Sequence, residues 1–151
     1  MLYCGGLDLF NSSGRTGLMK RREEREQAFI LIFEKSFNKD LDMQELFEMA
    51  EESEVMVPSD FAKKISLIVD DNLSEIDEEI QSVSIGWNLG RMSKVVLAII
   101  RLAVAEMKYM EDIPVSVSIN EAVELSKIYA SGEDASFVNG VLGTISRKKE
   151  G

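Results

Sequence analysis

Ser93 to Tyr109 read SKVVLAIIRLAVAEMKY, apolar on nearly every side of a helical wheel, and this stretch decides the fold. Val95, Val96, Ile99 and Ile100 are β-branched and would suit a strand. The unbroken length and the Ala and Leu content favour a helix instead. A helix that is apolar all round has to be covered by several neighbours, so this one is expected at the hub of an all-α domain. Arg101 lies inside it and must find a carboxylate or carbonyls, because burying an unpaired cation is too costly. Glu121 is the candidate partner.

Working toward the N-terminus, the pattern stays helical. Ala28, Phe29, Ile32, Phe33 and Phe37 recur in steps of three and four from Lys20 onward, and Asn38 to Asp40 break the run. A second helix is predicted from about Asp42 to Glu54. Ser59 is a plausible cap for a third, with Ala62 three residues on and Phe61, Ile65, Ile68 and Val69 as its buried stripe, ending near Asn72. Ser74 is expected to cap a fourth, with Asp77 where a capping box carries Glu or Gln and Ile76, Ile80 and Val83 on its inner face. Ser84 to Gly90 interrupt the pattern, and Trp87, the single tryptophan, is read as a packing anchor.

Toward the C-terminus, Ile113 to Leu142 read IPVSVSINEAVELSKIYASGEDASFVNGVL. Val115 to Ile119 are expected to be an extended linker after Pro114, since a lone strand has nothing to pair with. Asn120 then caps a helix, with Glu121 in its first turn favouring the helix dipole. A polar loop, Ser131 to Ser136, precedes a last helix opening at Phe137, whose first amides are placed to receive a phosphate, against the opposing charge of Glu133 and Asp134. Gly140, with Asn139, is expected to let another helix approach closely. About seven helices follow in all.

The 151 residues are 45% apolar, enough for one domain with a real core. A formal charge of −10 argues against nucleic acid meeting the whole surface, so any RNA contact is confined to a local basic patch. With no histidine and a single cysteine, Cys4, the chain lacks the commonest general base, the commonest metal ligand and any CxxC clip. Paired carboxylates such as Asp70 with Asp71, or Glu78 with Glu79, are adjacent and diverge on a helix. No catalytic set, metal or cofactor is therefore expected, and no apolar run reaches membrane-spanning length. The reading is a reduced, cytoplasmic protein. Met1 to Leu18 differ in composition and are taken as a disordered extension or a mis-called start, with one domain over residues 19–151.

Lys20, Arg21, Arg22 and Arg25 form the basic patch. Cations at a helix start oppose the macrodipole by about 0.3–1 kcal/mol each, a local cost that invites a functional explanation. Arg21 and Arg25 lie one above the other with Arg22 about 100° round, which suits phosphates. Glu23, Glu24 and Glu26 are interleaved, so Lys20–Glu24 and Arg22–Glu26 pairs on an ordinary solvated face are the competing reading.

INEAVELSK followed by FVNGVL resembles the C-terminal half of the NusB family, and LGRMSKVVLAIIRLAVAEM resembles that family's corresponding helix. The resemblance covers most of the chain from Met19 to Arg147 and is sharpest from Leu89. It implies two helical bundles packed across each other, and a transcription antitermination factor, not an enzyme, that binds single-stranded boxA RNA together with the ribosomal protein NusE. Other Nus factors and RNA polymerase are then indirect partners. Arg21, Arg22, Arg25, Glu26 and Ala28 match the family's Arg-rich first helix. Phe137 is the aromatic that the resemblance places beside RNA, core packing being the plainer role. Where the family often has Gln and Tyr, this chain has Ile30 and Phe33; where it usually has an acidic residue facing its protein partner, this chain has Val96. Two other readings compete: the NusB-like domain of an rRNA cytosine methyltransferase, for which the chain is too short to add a catalytic part, and a homodimeric helical protein that binds no RNA.

Overall fold

The computed structural model describes residues 20–150, apart from Ile85, Trp87 and the side chain of Glu150. The expectations for Met1 to Leu18 and for Trp87 lie outside the described residues. Among those described, seven α-helices and one 3₁₀ turn occur and no strand: α1 Arg21–Phe37, α2 Met43–Glu52, α3 Asp60–Asp71, α4 Leu73–Val83, the turn Leu89–Arg91, α5 Lys94–Tyr109, α6 Val115–Tyr129 and α7 Gly132–Glu150. The all-α expectation is met. The chain divides into two compact units, Met1–Leu67 and Ile68–Gly151, and none of the described helices is long and apolar enough to cross a membrane.

In the first unit α1 packs against α2. Ala28 to Phe33 are all buried on α1, and Met43, Leu46 and Phe47 on α2. Asp42 starts α2 with a reciprocal capping box: it accepts from the Glu45 amide at 2.8 Å, and its own amide donates to Glu45 Oε1 at 3.3 Å. Glu54, with φ of 61°, ends that segment in the left-handed region usually left to glycine. Ser59 caps α3 as its sequence predicts, accepting from the Ala62 amide at 3.0 Å.

In the second unit α5 is the hub, packed against α4, α6 and α7. Every residue from Val96 to Met107 is buried except Arg101. Each fully buried Ile, Leu or Val there contributes about 1.5–3 kcal/mol through apolar area removed from water. Ser93 caps the helix by accepting from the Val96 amide at 3.1 Å.

Five expectations are corrected. Arg101 pairs with Asp77 on α4, at 2.8 Å, rather than with Glu121. Helix α4 begins at Leu73, so Ser74 is already inside it; Asn72 stands in the cap position and donates back to the Ile68 carbonyl at 2.8 Å. Helix α6 begins at Val115, with extended Pro114 as its cap (φ −60°, ψ 139°), so Val115 to Ile119 are helical and Asn120 is an exposed residue of the interior. Burial overrides propensity here: Ser118, in the supposed linker, is buried and donates to the buried Glu106 of α5 at 3.0 Å. Helix α7 begins at Gly132, five residues earlier than expected, because Ser131 caps it by accepting from the Asp134 amide at 3.1 Å. A Cβ at Gly140 would meet nothing within 4 Å, so this glycine admits no close helix.

Candidate nucleic-acid interface

Lys20 occupies the cap position of α1 in extended conformation (φ −76°, ψ 151°) and makes no side-chain cap bond. Its ammonium group, with Arg21 and Arg22, is exposed at the helix start, while Arg25, one turn on, is buried. The structure brings Arg21 and Arg25 onto one aromatic ring. The Arg21 guanidinium carbon lies 3.9 Å from the Phe61 centroid and that of Arg25 5.9 Å, distances at which the negative ring face attracts a cation. Glu24 approaches Arg21 Nε to 3.4 Å. The patch is thus a layered arrangement: a buried ring and a buried arginine beneath a half-exposed one, with two further exposed cations beside it.

Phe61 belongs to the site and was assigned by its helical spacing to the core stripe of α3. It does both, being buried while its face carries a cation. Nothing local marks it, since it is distant in sequence from Arg21. The same holds for Gln27, whose side chain is 1% exposed. Its amide nitrogen donates to the Val57 carbonyl at 3.1 Å, and its oxygen accepts from the Ser59 amide at 2.9 Å. This clamp fixes the turn before α3 to α1, and with it the ring that underlies the arginines.

Phe137, in the second unit, stands in the second turn of α7, partly exposed. It walls two clefts. One, of about 340 Å³, is lined with Arg91, Met92, Ser93, Val96, Glu133 and Asp134. The other, of about 370 Å³, lies beside Ser84, Ser136, Gly140 and Thr144. The phosphate expected at the Phe137 turn is not supported, because its amide lies within the helix and the true first turn holds Glu133 and Asp134. Ile30 and Phe33 are buried and serve packing, and Val96 is buried while lining the first cleft.

Comparison with known proteins agrees along nearly the whole chain. The model of the NusB family matches residues 22–147. The transcription antitermination protein NusB of Agathobacter rectalis is 43% identical over 129 residues, 82% of this chain and 97% of that protein. The one from Finegoldia magna is 38% identical over 133 residues, 87% and 97% respectively. Among solved structures, a Thermotoga maritima NusB (T. maritima NusB) superposes with a TM-score of 0.75 at 32% identity, covering 85% of this chain and 92% of that one. The NusB of a complex of antitermination factors NusB and NusE with dsRNA superposes with a TM-score of 0.73 at 27% identity, over 86% of this chain and 99% of that one.

Proposed function

The chain belongs to the NusB family, and from that premise we propose that it is a transcription antitermination factor that binds single-stranded boxA-type RNA together with NusE in support of ribosomal RNA transcription. The observation that carries the RNA part is the start of α1, where Lys20, Arg21 and Arg22 expose three cations beside one another on an otherwise acidic chain. Such a patch engages phosphates locally and lets affinity fall with salt. A NusB and NusE complex with dsRNA, one chain of which is similar to 86% of this chain, supports RNA and NusE as partners. Arg25, from beneath, adds positive potential to the patch, and Phe137 offers an aromatic face for a base. RNA polymerase and the remaining Nus factors are reached through the assembled complex, in the cytoplasm.

The family is one of transcription antitermination factors rather than of enzymes. The match to the curated relatives runs over 97% of each, which favours this reading over a domain of a methyltransferase. Labelled boxA RNA titrated with the protein, alone and with NusE, at two salt concentrations tests the proposal. Affinity should rise with NusE and fall at the higher salt. RNA binding that neither responds to NusE nor exceeds that of an unrelated RNA would overturn it, as would a homodimer that NusE and RNA leave unchanged by size-exclusion mass measurement.

A further inference from the structure

Phe61 is fixed before any ligand arrives. Ser59 caps the helix that carries it, and the buried Gln27 amide ties that cap to α1 through Val57 and Ser59. Phe61 is 7% exposed, yet the guanidinium resting on its ring at 3.9 Å belongs to a side chain that is 51% exposed. Arg21 is therefore covered on one face and open on the other. Its Nε edge is also engaged, by Glu24 at 3.4 Å. An arginine that grips a phosphate side-on uses that edge. With that edge engaged and the inner face covered, the outer face suits stacking by the flat, apolar face of an unpaired base, while the terminal Nη1 and Nη2 groups keep their donors in the guanidinium plane.

We propose that Phe61 is a positioning residue for RNA binding, acting through Arg21: the ring holds the guanidinium as a preformed platform on which one unpaired nucleobase stacks, while Lys20 and Arg22 meet the phosphates. The inference rests on the RNA-binding function proposed above. A long flexible side chain normally loses rotamer freedom on binding, and one already seated on a ring loses less. The contribution of Phe61 is then insensitive to salt, because it adds no phosphate contact.

Fluorescence anisotropy with labelled single-stranded boxA RNA and NusE, using full-length Phe61→Leu, Phe61→Tyr, Arg21→Lys and the double variant Arg21→Lys with Phe61→Leu, tests this. Phe61→Leu should weaken binding about five- to tenfold, the scale of one cation–π or base-stacking contact, with the wild-type salt slope. Arg21→Lys, which keeps the charge and loses the plane, should match it. The double variant should be no weaker than either single one, and Phe61→Tyr should stay within about twofold, since its ring keeps the stacking face. Proton NMR of the free protein supplies a readout without RNA: the Arg21 δ protons should be shifted by the Phe61 ring current and lose that shift in Phe61→Leu. Thermal unfolding of each variant reports folding, and if Phe61→Leu does not fold, Arg21→Lys and Phe61→Tyr still decide. Independent, additive losses, or full affinity in Arg21→Lys, would overturn the proposal while RNA binding stands. A wild-type protein that binds no RNA would remove the functional reading itself, and the ring-current shift would then report a merely structural stack.

Discussion

Arg101 holds Asp77 through two parallel hydrogen bonds, Nε to Oδ1 and Nη2 to Oδ2, both 2.8 Å. The pair ties the hub helix α5 to α4 with side chains only 13% and 25% exposed. Removing one partner leaves a largely buried charge with no counter-ion, which costs more than the intact pair contributes. Asp77→Ala should lower the unfolding free energy by about 2 kcal/mol, measured by urea denaturation. The joint replacement Asp77→Leu with Arg101→Met should lie within about 1 kcal/mol of wild type, because no charge is then stranded. Equal losses from the single and joint replacements would show that the pair itself stabilises the fold.

Gln27 makes a second prediction, in the first unit. Gln27→Ala removes the partners of the Val57 carbonyl and the Ser59 amide, and because Val57 is exposed and Ser59 half-buried the loss should be about 0.5–1.5 kcal/mol for each bond. Gln27→Glu keeps the acceptor for Ser59 but loses the donor for Val57 and buries a carboxylate, so it should be at least as damaging. Amide exchange at Ser59 should quicken in Gln27→Ala and remain slow in wild type; unchanged exchange would mean that the clamp does not hold the turn.

Lys108 and Tyr109 close α5 against two carboxylates of α4. Burial pushes the Tyr109 phenol above its usual range, and donation to Glu75 at 3.0 Å raises it further. For Lys108 burial pulls downward, but Glu79 at 3.3 Å outweighs it, and the ammonium ends above its usual value. Both folded values are raised, so both contributions are complete below about pH 10 and fade as pH climbs through the raised values. Glu75→Ala should bring the phenolate absorbance step of Tyr109 to lower pH. A step that stays in place would assign the shift to burial alone.

What was legible along the chain is what rests on local chemistry. Ser59 and Ser93 cap their helices with the amides three residues on, and the greasy run from Val96 to Met107 is the hub. The starts of α6 and α7 escape the sequence because Val115 to Ile119, alternating β-branched residues with serine, and the polar run after Ser131 look non-helical until burial on a neighbour, or a cap, overrules propensity. In the basic patch the cations could be read and their platform could not: Phe61 and Gln27 act across long sequence separations, as does Asp77 on Arg101.

Salt dependence separates the roles within the patch. Each phosphate contact of a single strand adds about 0.7 to the slope of log affinity against log salt. Replacing Lys20 and Arg22 by Ala together should flatten that slope by about 1.4, measured by titrating boxA RNA with NusE at several salt concentrations. An unchanged slope would place the phosphates elsewhere on the chain.

Gly140 carries the last prediction. It lies in the interior of α7, exposed, where a Cβ meets nothing within 4 Å, and its carbonyl accepts from Thr144 Oγ1 at 2.9 Å. Glycine inside a helix costs about 0.5–1 kcal/mol relative to alanine, and no packing in the free chain offsets that. Gly140→Ala should therefore raise the unfolding midpoint by about 1–4 °C, read by thermal denaturation. The added methyl would project beside the cleft that Gly140 shares with Phe137 and Ser136. Higher stability with intact RNA and NusE binding would make the glycine dispensable. Higher stability with weakened binding would locate its role in a bound partner, since the fold alone favours alanine at that position.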